Sequence, residues 1–252
     1  MNKVRVIARI DVKNEFAIKG IHLEGLRKVG NPNEMAHDYY VNGIDEIVFM
    51  DSVAAYYDRN SLSKLIKKAC KDIFIPITVG GGIRTINDIK NALKSGADKV
   101  AINTQTVKDP NFIAQSSKIF GSQCIVSSIE AKTTKDGKWE VYIDNGREPT
   151  GKDVIKWAKH VEELGAGEIM LTSIDKEGTK KGFDIDLCKR VAQSVSIPII
   201  ASGGMGQSTD AVELLEYANV DAIATASVLH YKMESIQEIK RTLLQHKIKV
   251  RI

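Results

Sequence analysis

Residues 76–104, PITVGGGIRTINDIKNALKSGADKVAINT, pass from one β-branched stretch to the next through an amphipathic segment. PITVG (76–80) reads as a short strand, and the glycines that follow it as a tight turn. Ile86, Ile89 and Leu93 then recur at the spacing of one buried helix face, before KVAIN (99–103) forms a second strand. A strand, a helix and a strand in so short a stretch imply parallel pairing through a right-handed crossover. The unit recurs along the chain. VRVIARIDV (4–12), EIVFMD (46–51), CIVSSIE (124–130), EIMLTS (168–173), PIIASG (198–203) and AIATA (222–226) bring the strand candidates to eight. Helical patterns lie between them at 33–43, 62–72, 86–96, 151–165, 184–195 and 210–219. Eight such units in 252 residues are what a (β/α)8 TIM barrel requires, here as one domain over 1–252. A doubly wound open sheet is the competing architecture.

Composition narrows the function classes. The chain is 43% apolar and 27% charged, too apolar for a disordered chain. No apolar run approaches the ~18–20 residues of a membrane span, and no signal-peptide core precedes Arg9. Lys and Arg number 36 against 32 Asp and Glu, without the basic block of a nucleic-acid binder. Cys70, Cys124 and Cys188 are far apart, so reduced thiols in a cytoplasm are expected, with no disulfide framework and no metal site. Two segments depart from the alternation. Residues 13–31 make a long connection after the first strand, of the kind that is functional or mobile. Residues 133–148 alternate around Asp136-Gly137 and read as an inserted β-hairpin.

The halves of the chain resemble each other. Gly43–Glu46 matches Gly165–Glu168, and Val79–Gly82 matches Ala201–Gly204, both at an offset of 122. Gly96-Ala97-Asp98 matches Asn219-Val220-Asp221 at 123, and Asp11 matches Glu130 at 119. Two similar half-barrels are expected.

In such a barrel the active site is built from the C-terminal strand ends. That rule selects Asp11, Asp51, Gly81-Gly82, Asn103-Thr104, Glu130, Thr172-Ser173-Asp175, Ser202-Gly203-Gly204 and Ala226-Ser227. Glycine lets backbone N–H groups approach an anion, and the residues opening the next helix add amides and a hydroxyl. Two such cradles related by the repeat suggest a substrate with a phosphate at each end. Asp11 and Glu130, at matching strand ends, would face each other as general acid and base. The competing explanation is structural pairing with Lys19, Lys132 or a backbone amide.

These residues resemble a known family over essentially the whole chain: the cyclase subunit of imidazole glycerol phosphate synthase. The resemblance rests on IDVKNEFAIKG (10–20), GIDEIVFMD (43–51), ITVGGGIRT (77–85), GADKVAINT (96–104), FGSQCIV (120–126), GAGEIMLTSIDKEGTKKGFD (165–184) and IPIIASGGMG (197–206). It implies a heterodimer with a glutaminase, whose ammonia crosses the barrel and attacks a bisphosphorylated ribulosyl-formimino aminoimidazole carboxamide nucleotide. Imidazole glycerol phosphate and aminoimidazole carboxamide ribonucleotide result, with no cofactor. By matched position, Asp11 is one acid/base residue and Lys19 closes over the substrate. Asp51 lies on the mouth, and Gly82, Asn103 and Thr104 resemble one phosphate site. Gly178, Gly204, Ala226 and Ser227 resemble the other, with Thr172, Glu177, Ser202 and Gly203 beside it. Arg5, Glu46, Lys99 and Glu168 match a charged ring gating ammonia entry at the opposite end, and Asp45 and Asp98 match the glutaminase face.

Three positions depart from the family's usual pattern: Arg9 stands for Cys, and Glu130 and Glu177 each stand for Asp. Glutamate reaches further than aspartate, and displacement at a reacting centre can cost ~10²-fold in rate. Arg9 puts a permanent cation near Asp11, which lowers a carboxyl's pKa. These departures keep a second reading open: a relative that channels ammonia to a sugar amidotransferase making an acetamidino group on a surface glycan. The sister isomerase is a third reading, against which FGSQ and the ring residues speak.

Overall fold

A computed structural model describes residues 3–52 and 62–252. Eight strands close into a ring, in the order β1 (Arg5–Lys13), β4 (Glu46–Asp51), β5 (Ile77–Gly80), β6 (Lys99–Ile102), β7 (Ile125–Thr133), β10 (Glu168–Ser173), β11 (Ile199–Ser202) and β12 (Ala222–Thr225). All eight pairings are parallel, and β12 returns to β1 with Ala222 opposite Arg5. The ring excludes the open sheet. Around it lie α1 (Pro32–Val41), α2 (Leu62–Ala69), α3 (Ile86–Lys94), α4 (Thr104–Lys108), α5 (Asn111–Phe120), α6 (Val154–Glu163), α7 (Ile185–Ala192), α8 (Ser208–Tyr217), α9 (Ser227–His230) and α10 (Ile236–Gln245).

The largest difference from the sequence expectation is residues 13–31. They form an antiparallel hairpin, β2 (Phe16–Ile21) and β3 (Glu24–Gly30), extending β1 rather than an irregular connection. Its tip is His22-Leu23, both in the left-handed region (φ 53° and 63°), where a leucine gives no turn signal. The second inserted hairpin is real but has another strand: β8 (Trp139–Ile143) pairs with β7 and with β9 (Glu148–Asp153). Because β9 occupies residues 148–153, the helix expected from 151 begins at Val154. Asp153 caps it, accepting from Lys156 N at 2.9 Å.

Side chains alternate along each strand. Val6, Ala8 and Ile10, Ile47 and Phe49, and Ile169 and Leu171 face outward and pack with the helices. Ile7, Val48, Ala101, Val126, Met170, Ile200, Ala222 and Ala224 face inward and form a separate apolar layer inside the ring. Burying one such aliphatic chain contributes roughly 1.5–3 kcal/mol.

The internal repeat is visible in hydrogen bonds. Arg84 N and Thr85 N donate to Asp88 Oδ2 at 3.1 and 2.8 Å. At an offset of 122, Gly206 N and Gln207 N donate to Asp210 Oδ2 at 2.7 and 3.1 Å. Asp98 accepts from Ile77 N at 2.8 Å and Asp221 from Ile199 N at 3.0 Å, each carboxylate tying off the start of the neighbouring strand. Asp45 does the same for β1, accepting from Val6 N at 2.7 Å, and holds Lys240 at 2.7 Å with its other oxygen. Replacing Asp45 by alanine leaves the buried Val6 N–H unpaired and the Lys240 ammonium with only the Gly43 carbonyl as partner. The expected loss is about 1–3 kcal/mol of stability, read as a lower urea midpoint with unchanged slope.

Candidate active site at the barrel mouth

The two hairpins meet over the C-terminal ends of the ring. His22 N donates to Glu177 O at 2.8 Å and His22 Nδ1 lies 2.9 Å from Ile174 O, which anchors the first hairpin on the β10 loop. The turn of the second hairpin, Asp144-Asn145-Gly146, is left-handed throughout (φ 52°, 59° and 75°). It is held by Asn103 Nδ2, which donates to Tyr142 O at 3.1 Å, and by Thr104 Oγ1, which accepts from Asp144 N at 3.1 Å. Asn145 Nδ2 reaches Leu23 O at 3.4 Å, joining the two turns. Each half-barrel thus lends its hairpin to the strand ends of the other.

Beneath this roof lie Asp11 and Glu130, both buried, on β1 and β7. Those strands are four apart in the ring of eight, so the pair stand on opposite sides of the mouth. Arg9 stands between them. Its Nε donates to Asp11 Oδ1 at 2.9 Å, and its Nη1 to Thr172 Oγ1 at 3.0 Å and Ser202 Oγ at 3.3 Å. The guanidinium therefore crosses the lumen from β1 to β10 and β11. Lys19, on β2, pairs with Glu177 and lies 3.7 Å from Asp11 Oδ2. Glu130 Oε2 accepts from Gly146 N at 2.7 Å, so the extra reach of glutamate is taken up by the hairpin turn.

Charge separates the two carboxyls. Burial alone would raise Asp11, but Arg9 and Lys19 together hold it below the ordinary carboxylate range. Burial pushes Glu130 up to about 7, only partly opposed by Arg9 and the Gly146 amide. Burial likewise brings the Lys19 ammonium down to about 8, with Arg9 adding to the effect and Asp11 opposing it.

The expected cradles form two clefts. One is lined by Asp51, Gly81, Gly82, Asn103, Thr104 and Glu130, an open cleft of about 770 Å³ with the solvent at its mouth included. The other, about 270 Å³, brings together Lys19, Glu177, Gly178, Ser202, Gly203, Gly204, Ala226 and Ser227, with Arg9 in its wall. At several of these positions only glycine fits, Gly178 (φ 73°, with Gly20 O 2.2 Å from a Cβ) among them. A Cβ on Gly81 (φ 92°) would fall 2.2 Å from Asp51 O, and one on Gly204 (φ 109°) 2.0 Å from Gly182 O. Several polar groups are differently engaged than the sequence suggested. The Thr172 and Ser202 hydroxyls accept from Arg9, and the Asn103 amide and Thr104 hydroxyl hold the second hairpin.

At the opposite end, the first residues of β1, β4, β6 and β10 form an ion-pair ring. Arg5 bonds Glu46 at 2.8 Å and Glu168 at 2.5 Å, and Lys99 bonds the same glutamates at 3.2 and 2.8 Å. Asp98 on that face is exposed. Asp45 is buried, with its oxygens engaged by Val6 N and Lys240 Nζ, so in the free chain its carboxylate serves as a strand tie.

Sequence reasoning missed the Asp144–Gly146 turn, for which an Asp-Asn-Gly run between alternating stretches was the available signal. It also passed over Arg84 and Lys108 in the first cleft. His230 stacks on Tyr39 with Nδ1 2.8 Å from its hydroxyl. Burial pushes this imidazole down to about 4, with Lys19 contributing.

A closed barrel with two facing buried carboxyls between glycine-edged clefts at its C-terminal mouth has the arrangement of a (β/α)8 enzyme. The match of residues 5–235 to the family model described as "Histidine biosynthesis protein" is consistent with this, and the chain belongs to that family. Its curated relatives carry the name imidazole glycerol phosphate synthase subunit HisF. The Legionella pneumophila protein is 59% identical over 207 residues, covering 82% of this chain and 98% of that one. Those of Lactococcus lactis subsp. cremoris and Bacillus cereus are each 45% identical, spanning 98% of this chain and 96% and 98% of theirs. The chain is thus a HisF-type cyclase subunit, an enzyme of histidine biosynthesis. Among the described residues, no helix is long and apolar enough to cross a membrane.

The raised Glu130 carboxyl has a consequence for stability. The unfolded chain releases this proton near pH 4.5, while the folded protein keeps it until about 7, so folding is progressively weakened across that window as pH rises. Glu130→Gln removes this contribution. Denaturant titrations from pH 4 to 8 should show the variant gaining on the wild type by on the order of 3 kcal/mol over the range. Parallel curves would mean that Glu130 ionises normally.

Proposed function

We propose that the chain joins ammonia to a bisphosphorylated ribulosyl-formimino aminoimidazole carboxamide nucleotide and closes the imidazole ring, releasing imidazole glycerol phosphate and aminoimidazole carboxamide ribonucleotide. The observation that carries this reading is the pair of facing buried carboxyls, one held by Arg9 and Lys19 and the other by a single backbone amide, set between two glycine-edged clefts. Gly82 and the backbone around Asn103 and Thr104 would hold one terminal phosphate. Gly178, Gly203, Gly204, Ala226 and Ser227 would hold the other, with Lys19 supplying positive charge. Asp11, kept ionised, accepts a proton from the attacking ammonia, and Glu130, which holds its proton until about pH 7, donates one to the departing group. Such division between two carboxyls follows from their surroundings rather than their type.

The ammonia would come from a glutaminase bound at the N-terminal face, where Asp98 is exposed. The ring of Arg5, Glu46, Lys99 and Glu168 would then be the gate, opening by exchange of its ion pairs into the apolar layer above it. A neutral ammonia molecule crosses such a layer far more readily than an ammonium ion, because the ion would be desolvated. A reducing cytoplasm suits the free thiols of Cys70, Cys124 and Cys188.

The purified chain, given the nucleotide and excess ammonium salt, should turn over at ~1 s⁻¹ or more. Asp11→Asn should cut kcat by about 10²–10⁴-fold with the fold intact by circular dichroism. No turnover in a folded chain that still stimulates a glutaminase would turn the reading toward delivery of ammonia to a separate acceptor enzyme.

A further inference from the structure

Arg9 is a buried cation at the mouth that the reaction above does not use. It is 3% exposed, and its Nε and Nη1 are fixed by Asp11, Thr172 and Ser202 on three different strands. That geometry is a strut: the guanidinium can neither swing toward solvent nor leave Asp11 without breaking contacts across the lumen. We propose that Arg9 is a positioning residue that sets the two facing carboxyls apart: it locks Asp11 as the ionised partner through a direct bond and reaches Glu130 only through space, so that Glu130 stays the more weakly held of the two and carries the transferable proton. This rests on the cyclase reading for its catalytic meaning.

The surroundings leave Arg9 as the group common to both carboxyls. Asp11 faces Arg9 on its own strand, Lys19 from β2 and His230 from α9. Glu130 faces Arg9 and Asp11 from β1, and Asp144 and the Gly146 amide from the β8–β9 turn. Lys19 is shared with Glu177 and loses its charge near pH 8, so it is a conditional partner for Asp11. A guanidinium keeps its charge throughout the working range. Arg9 also touches the second cleft, which offers a rival role as a direct phosphate ligand.

The two roles separate in the pH dependence of kcat/KM for ammonia-driven turnover. In Arg9→Gln both limbs of the bell should move upward, the acidic limb by about one pH unit or more, because Asp11 loses its permanent cation. Arg9→Lys should restore part of the shift. Thr172→Val, which removes one anchor without touching Asp11, should move the acidic limb in the same direction by less; it provides the readout if Arg9→Gln fails to fold. Unmoved limbs with a lowered kcat would make Arg9 structural only. Unmoved limbs with KM raised tenfold or more would make it a phosphate ligand. Either overturns the proposal. Infrared titration of the carboxyl band of Glu130, assigned by its loss in Glu130→Gln, needs no turnover. An upward shift there in Arg9→Gln, in a chain inactive on the nucleotide, would support the electrostatic role of Arg9 while the cyclase reading fails.

Discussion

A closed ring of eight parallel strands fixes the width of its own interior, and everything at the mouth of this protein follows from that constraint. Each strand turns every second side chain inward, so the lumen is filled in levels and not at random. The lowest level is the ring of Arg5, Glu46, Lys99 and Glu168, whose charges cancel in pairs. Above it sits the apolar level around Ile7, Val48, Met170 and Ile200. The uppermost holds Arg9, Asp11, Glu130, Thr172 and Ser202. A carboxyl at this height is almost wholly buried. Its protonation is therefore decided by the few charges that share the level, which is why one arginine can matter so much.

The same confinement explains why the mouth chemistry is not that of two equivalent acids. Asp11 and Glu130 occupy matching positions in the two half-barrels, yet one is held by a guanidinium and the other by a single amide, that of Gly146. Symmetry of the backbone supplies the opposition of the two groups. Departure from symmetry in the side chains supplies the difference a proton transfer needs. Lys19 sits on the Asp11 side, so cationic charge is concentrated against one carboxyl.

Much of this was legible in the sequence. The eight strands declared themselves through β-branched runs, and Gly81, Gly82, Gly203 and Gly204 marked the strand ends through an offset of 122. The clefts they edge are lined by most of the strand-end residues singled out in the sequence, with Thr172 outside both. What could not be read is where local pattern carries no information about neighbours. Residues 16–30 make a hairpin whose turn uses His22-Leu23, residues with no turn preference, because its tip is fixed by contacts with Ile174 and Glu177 far along the chain. Asp45 carries the same Gly-x-Asp spacing as Asp98, but only the fold shows it buried against Lys240. Arg9 was visible as an unusual residue near Asp11, while its reach to Thr172 and Ser202 depended on ring closure.

The reciprocal exchange of hairpins says something about how such a molecule could have arisen. The hairpin of the first half is seated on Ile174 and Glu177 of the second, and that of the second half on Asn103 and Thr104 of the first. A half-barrel standing alone would have strand ends without a cover and a cover without strand ends. It would also expose the two open strands that β1–β12 and β6–β7 pairing normally closes. Two identical copies placed face to face satisfy both needs at once. An ancestral half of this size would thus have been viable chiefly as a symmetric pair, with duplication and fusion turning a contact between molecules into one within a single chain. After fusion the halves were free to diverge, and one mouth could carry an arginine on only one of its sides.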